Sequence, residues 1–401
     1  MALAGFAASL GGNLARAAAQ PVFTNPPENP AARPSIRRIA LPGFPGAHAI
    51  WGATGRDAAG GIWCGVSADG GDRSAHLLHF DPATGSMADR GDVLGALARL
   101  GNRPAGESQV KIHSRILTLS DGNLYFTSTD EEGEQEDGSA PPRWGSHLWR
   151  LRPPDGAWEH LLAVPEGLTC AAAGGSTVWA LGLWGHVLHR YDTRTGAHAS
   201  VAVGAPGGHM SRNVLADARG HAYVPSVRQD ADGSVQAELL EFAPDMTLRG
   251  ATPLASYAAG QTPQTAHGIV GFTMLAEGRI AFTTGAGFVH LVTPRADGPA
   301  QVKSLGWFHP AGHSYPACLF TWDGKDMLAG LAQTPDSRWH WVAYSLRAAQ
   351  GHATPLDLPL EQVQLLYGSD TRDDRGRFYV AGRHTTAAGK LPVLLQLDTA
   401  G

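Results

Sequence analysis

Lys111-Ile112-His113-Ser114-Arg115-Ile116-Leu117-Thr118-Leu119-Ser120-Asp121-Gly122-Asn123-Leu124-Tyr125-Phe126 reads as a strand, a tight turn and a second strand. Apolar residues alternate on both sides of Asp121-Gly122, a pair that favours positive φ and is a strong short-range hairpin signal. Lys111 and His113 stand at the entrance of the first strand. Working outward, the second half of the pattern, a Gly followed by an alternating apolar run, returns six more times. It appears as Gly61-Ile62-Trp63-Cys64, Gly175-Ser176-Thr177-Val178-Trp179, Gly220-His221-Ala222-Tyr223, Gly278-Arg279-Ile280-Ala281-Phe282, Gly324-Lys325-Asp326-Met327-Leu328 and Gly376-Arg377-Phe378-Tyr379. Successive copies are 61, 53, 45, 58, 46 and 52 residues apart. Each interval fits a four-stranded propeller blade, lengthened where loops grow.

A third-strand pattern follows each copy, from Leu77-Leu78-His79-Phe80-Asp81 to Val393-Leu394-Leu395-Gln396-Leu397-Asp398. Seven copies of both patterns imply an all-β fold, a seven-bladed β-propeller of four-stranded antiparallel blades over residues 35–401. A strand around Arg37 to Leu41 is expected to complete the last blade and close the ring. A two-sheet sandwich does not explain seven repeats of similar length.

Composition agrees. The 401 residues include 51 glycines, and turn pairs outnumber long stretches of 3.6-residue period, as an all-β chain requires. No run of about 18 apolar residues occurs, so no membrane span is expected. A net charge of −5 without a basic block argues against a nucleic-acid partner. Cys64, Cys170 and Cys318 lie far apart, and an odd count makes a disulfide framework a poor reading. Residues 1–34 read as a signal-like or flexible N-terminal segment. Within it Ala-Arg-Ala-Ala-Ala-Gln, ending at Gln20, resembles the cleavage end of an export signal, which implies a periplasmic or secreted protein. The Pro/Asn-rich stretch that follows is expected to be extended and mobile. The chain is expected to act as a monomer.

In a propeller, the first strand of each blade lines the channel, and its entrance shares a face with the loop between strands two and three. Side chains from several blades meet there, which makes it the expected ligand face. The entrances hold His48, His113, the Thr169–Cys170 pair, Arg212, His267 and Tyr315, and neighbouring third-strand entrances add His147, Trp184 and His186. Any one of these has a plainer reading: a surface imidazole, packing, or Arg212 tied to Asp217. Together they make a polar ring. The entrances lack the carboxylate pair of a glycosidase, and no Gly-x-Ser-x-Gly elbow or phosphate loop occurs. Arg with His suits neutralising a uronate carboxylate while C5 loses a proton, and Tyr or neutral His suits moving that proton. Such a β-elimination requires no redox cofactor.

Lys111-Ile112-His113-Ser114, Asp121-Gly122-Asn123-Leu124-Tyr125-Phe126, Gly145-Ser146-His147-Leu148-Trp149 and Ser211-Arg212-Asn213-Val214-Leu215-Ala216-Asp217 resemble the active-site blades of seven-bladed propeller polysaccharide lyases. The relatives meant are the ulvan lyases and the L-rhamnose–α-1,4-D-glucuronate lyases. The likeness covers roughly residues 111–223. It implies that His113 and His147 are active-site histidines and that Arg212 binds the carboxylate. Tyr191 matches the family's tyrosine by its distance from His147, with His186 as the alternative base. Trp184, His186, His267 and Tyr315 would contact substrate. The family's second strand often runs into Thr-His, where this chain has Thr127-Ser128-Thr129-Asp130. Some propeller lyases hold a structural zinc, for which His267, His313 and Cys318 are candidates in no recognisable spacing. A calcium ion in the acidic loop of Asp130, Glu131, Glu132, Glu134, Glu136 and Asp137 is conceivable, although the loop lacks EF-hand spacing and reads first as solvated.

The implied function is β-elimination of a glucuronate- or iduronate-containing polysaccharide or oligosaccharide to a 4,5-unsaturated uronate. The rivals are a lactonase-type hydrolase, an antibiotic-opening lyase, or a non-catalytic carbohydrate-binding propeller with Trp144, Trp184 and Trp339 as stacking platforms.

Overall fold

The computed structural model describes residues 29–399 apart from 70–72, 136–139, 183–186, 206–207, 210, 260, 263–266, 361 and 388. Seven antiparallel sheets follow one another, with the inner strand of each leading into a second, third and fourth strand outward. This is a seven-bladed β-propeller. The hairpin that opens blade 2 runs through Lys111–Ile112, Leu117–Thr118 and Leu124–Thr129, as the Asp-Gly signal requires. Among the described residues, no helix is long and apolar enough to cross a membrane.

One local device recurs at the turn between the first and second strands. An Asp accepts hydrogen bonds from backbone amides of the turn and from the aromatic side chain that follows in the second strand. Asp57 accepts from Gly61 N and from Trp63 Nε1 at 2.7 Å. Asp121 takes the Tyr125 hydroxyl (2.7 Å), Asp217 that of Tyr223 (2.9 Å) and Asp373 that of Tyr379 (2.9 Å). The repeated Gly-plus-aromatic pattern is therefore a folding unit. Its Gly sits at positive φ at Gly122, Gly220 and Gly376, and in blade 1 the neighbouring Gly60 does so instead; the aromatic ring is buried because its polar end has a partner.

The ring closes as expected, with Ser35–Ile39 forming the outer strand of blade 7 and pairing antiparallel with Gly389–Asp398. The lead-in differs from expectation at its last residues. Trp341 Nε1 donates to the Pro30 carbonyl (2.9 Å) and Arg33 Nε to the Pro355 carbonyl (2.7 Å), which fasten this stretch to blade 6. Residues 1–28 lie outside the described residues. The described part of the acidic loop is also not simply solvated. Asp130 is buried and accepts from the amides of Glu132 and Trp144, Glu131 pairs with Lys111, and Glu132 pairs with Arg143.

The inner strands are irregular. In blades 1, 2 and 6 they break into two short pieces, with residues 50–53, 113–116 and 317–319 between the pieces. In blade 7 the ladder of Val363–Arg372 slips between Gly368 and Arg372. Leaving the ladder frees side chains from strict alternation and re-aims them, which is what bulges do near functional sites.

Candidate active site at the channel mouth

Trp51, His113 and Arg115 sit in these breaks, and with Arg212, Asn213 and Tyr367 they line one small cavity at the entrance end of the channel, about 20 Å³, so a sugar would rest over it and only its carboxylate would reach in. Arg212 is its centre. Its Nε donates to His267 Nδ1 (2.9 Å) and its Nη2 to the Tyr367 hydroxyl (3.1 Å), while the guanidinium lies 4.3 Å from the Tyr367 ring centre. Both partners are neutral, and among the described residues no carboxylate pairs with Arg212. Among the described residues, three of its five N–H donors remain after these two bonds.

The histidines are held neutral. His113 Nδ1 lies 2.7 Å from the Thr169 carbonyl oxygen. A carbonyl only accepts, so Nδ1 carries the proton and Nε2 keeps its lone pair. Burial, then the charges of Lys111 and Arg212, hold the His113 pKa well below the usual imidazole value. His267 accepts from Arg212 at Nδ1, which leaves its proton on Nε2. Burial and the neighbouring guanidinium lower its pKa to about 4.

The aromatic wall joins these groups. Trp51 is nearly parallel to His113 (8°, centroids 6.3 Å apart) and packs on Tyr367 at 5.6 Å. Tyr315 meets Tyr367 edge-on at 6.4 Å and His267 at 6.0 Å. Lys111 and Arg383 flank the Trp51 ring at 5.0 and 4.9 Å. Two buried polar atoms here, Trp51 Nε1 and Tyr315 Oη, have no hydrogen-bond partner among the described residues. Burial raises the Tyr315 pKa far above its usual value, and raises that of Tyr367 less because Arg212 and Arg383 oppose it.

Four of the residues singled out in the sequence therefore converge: His113, Arg212, His267 and Tyr315. Two others do not. His147 lies farther out in blade 2, where its Nδ1 faces His160 Nε2 (2.9 Å) and its Nε2 faces Glu107 (3.2 Å). Tyr191 ends the third strand of blade 3, on the opposite face of the ring, packed near Leu119 and Tyr125. Strand direction decides this, since the third strand runs parallel to the first and its end is remote from the entrances. Trp184 and His186 fall outside the described residues. Asp217 does not hold Arg212; it pairs with Arg219 at 2.6 Å. The zinc candidates diverge, with His267 on Arg212, His313 Nε2 on the Ala259 carbonyl (2.7 Å) and Cys318 buried. Among the described residues, no three His, Cys, Asp or Glu side chains form a metal-binding group.

Trp51, Tyr367, Arg115 and Arg383 were not singled out in the sequence. A signal for the first two exists: Trp51, His113, Tyr315 and Tyr367 each stand nine residues ahead of a positive-φ glycine, namely Gly60, Gly122, Gly324 and Gly376.

No family model matches the chain, and no curated protein sequence matches it. Solved structures resemble it in fold. A protein of unknown function from Dyadobacter fermentans aligns over 90% of this chain and 99% of its own at 10% identity and a TM-score of 0.52. YCF48 from Cyanidioschyzon merolae aligns over 91% of this chain and 99% of its own at 10% identity and a TM-score of 0.52. A fungal copper-bound alcohol oxidase aligns over 92% and 77% at 12% identity and a TM-score of 0.50. At such identities the likeness is one of fold.

Proposed function

We propose that the channel mouth is the active site of a lyase that cleaves a uronate-containing saccharide by β-elimination. The observation that carries this reading is Arg212, a half-buried guanidinium held only by neutral groups and facing a cavity beside a neutral imidazole. An arginine so placed is suited to an anion with paired oxygens, such as a carboxylate. In the reaction, the carboxylate of the uronate accepts N–H bonds from Arg212. This stabilises the charge that develops as the C5–H bond breaks. His113 Nε2 takes the C5 proton, the electron pair forms the C4–C5 double bond, and the C4–O4 bond breaks. O4 leaves with a proton supplied by the Tyr367 hydroxyl or by His267 Nε2–H. Atoms and electrons balance without an electron acceptor.

His147 and Tyr191, which the family resemblance gave catalytic roles, have none in this scheme. Tyr367 takes the place of Tyr191 because its hydroxyl is bonded to Arg212.

The test is ultraviolet absorbance during incubation with glucuronate- and iduronate-containing polysaccharides, with and without chelator. A rising signal from the 4,5-unsaturated uronate, lost in Arg212→Ala and His113→Ala proteins that stay folded, is the expected result. Wild-type turnover in both variants would sink the assignment. Saccharide binding without product would instead favour the non-catalytic propeller, for which the unpartnered Trp51 Nε1 and Tyr315 hydroxyl speak equally well.

A further inference from the structure

A second recess opens on the same face. It measures about 900 Å³ and is lined by, among others, Gln333, Arg338, Trp339, Leu358, Gln362 and Arg383. The topology fixes its side of the ring. Gln333 pairs in the ladder with Tyr315, at the entrance of the inner strand of blade 6, and Gln362 immediately precedes Val363, where the inner strand of blade 7 begins. The recess therefore runs over blades 6 and 7 toward the mouth.

Arg383 lies between the two places. Its guanidinium lies 4.9 Å from the Trp51 ring centre, and it also lines the recess. Its Nε is buried without a hydrogen-bond partner, and among the described residues no carboxylate pairs with it. The rest of the wall is mixed. Trp339 and Leu358 offer apolar surface, Gln333 and Gln362 offer amide groups, Asp357 adds a carboxylate, and Arg338 is paired with Asp336 at 3.2 Å. A pyranose has that same mixture, with C–H faces and a rim of hydroxyls. At about 900 Å³ the recess is near the upper end of the range for single small-ligand sites, about 300–1,000 Å³.

We propose that this recess binds the sugars adjoining the uronate, so that the substrate is an acidic saccharide chain laid from the mouth across blades 6 and 7. Arg383 reads the chain at the junction, and Trp339 and Leu358 meet the C–H faces of the sugars at the far side. The inference rests on the uronate reading of the mouth.

The experiment is calorimetric titration of the whole protein, with turnover blocked by His113→Gln, using glucuronic acid and an unsulfated chondroitin octasaccharide as probes. The octasaccharide is expected to bind about tenfold or more tightly than the monosaccharide, which corresponds to about 1.4 kcal/mol. Gln333→Trp fills the recess and Arg338→Glu adds a carboxylate to its wall. Each is expected to remove most of that gain and leave the monosaccharide affinity unchanged, with thermal unfolding confirming the fold. A gain that survives both substitutions, or equal affinity for the two probes in the unsubstituted recess, would overturn this inference alone. Absence of binding by either probe would overturn it together with the uronate reading.

Discussion

Arg115 of blade 2 forms an ion pair with Asp370 of blade 7, joining residues 255 apart in the chain in front of blade 1. Arg115 leaves its strand at the break between Ile112 and Leu117, and Asp370 lies in the slipped part of the blade 7 ladder. The guanidinium also lies 4.3 Å from the ring centre of Phe272 in blade 5, on the far side of the channel. It thus lies between the mouth cavity and a lower cleft of about 330 Å³, and it lines both. The side chains of Arg115 and Asp370 are only 15% and 3% exposed. Breaking such a pair from one side costs about 3–5 kcal/mol, because the remaining charge stays desolvated. Arg115→Met is therefore expected to lower the urea midpoint, and Arg115→Met with Asp370→Leu to recover only part of it, because the buried Arg372 also faces the Asp370 charge. A single variant as stable as wild type would mean the pair contributes nothing.

The hydroxyls of Tyr367 and Tyr315 are expected to behave differently. Tyr367→Phe removes the group bonded to Arg212, and turnover should fall about 10²-fold or more, in the range for a lost acid–base group. Tyr315→Phe removes a buried hydroxyl that has no partner. It should stabilise the protein by about 1 kcal/mol while raising KM, if that hydroxyl awaits the substrate. Thermal unfolding and steady-state kinetics on the same two proteins decide the matter. Equal effects would show that the mouth does not distinguish these rings.

His147→Ala and Tyr191→Phe test geometry against family likeness. Each should retain turnover within a few-fold of wild type, since neither side chain lines the mouth cavity. Loss of turnover in Tyr191→Phe without loss of fold would return the catalytic role to the opposite face.

The pH dependence follows from the buried imidazoles. His113, His267 and His290 all have folded-state pKa values below the unfolded value of about 6.5, and those of His267 and His290 fall to about 4, chiefly through burial. Between about pH 6.5 and 4 the unfolded chain binds more protons than the folded one, so stability falls as pH falls through that window. Above it the contribution is complete. His290 is remote from the mouth, stacked on Phe282 in blade 5. His290→Phe should flatten part of the slope and leave turnover unchanged, as melting temperatures and rates at several pH values would show. Turnover should persist below pH 6.5 because His113 stays neutral there. A rate that halves near 6.5 would contradict its assignment as base.

The ring and its count of blades were legible because they rest on local rules: alternation, an Asp-Gly turn, and an aromatic residue that returns to the turn's Asp. His113, Arg212, His267 and Tyr315 were legible because strand direction alone puts their backbones on one rim. Tyr367 and Trp51 were harder. Their strands break or slip near them, and only the nine-residue offset to the next positive-φ glycine marks them. Tyr191, matched by counting along a family pattern, stands near the end of a third strand, which strand direction puts on the opposite face. The reach of Arg115 to Asp370 had no local signal, since it depends on side chains meeting across the channel.

The clasp between Ser35–Ile39 and Gly389–Asp398 also sets an order of events at the ribosome. Ser35–Ile39 is made about 350 residues before Gly389–Asp398 and must wait for it. At about 5–20 residues per second, the interval is on the order of twenty to seventy seconds. Throughout it blade 7 has no outer edge, and Ile36 and Ile39 lack the apolar neighbours that later cover them. A nascent chain in that condition is a natural client for a holding chaperone. A circular permutant that joins the two termini and opens between blades 3 and 4 would move the waiting period to another seam of the ring.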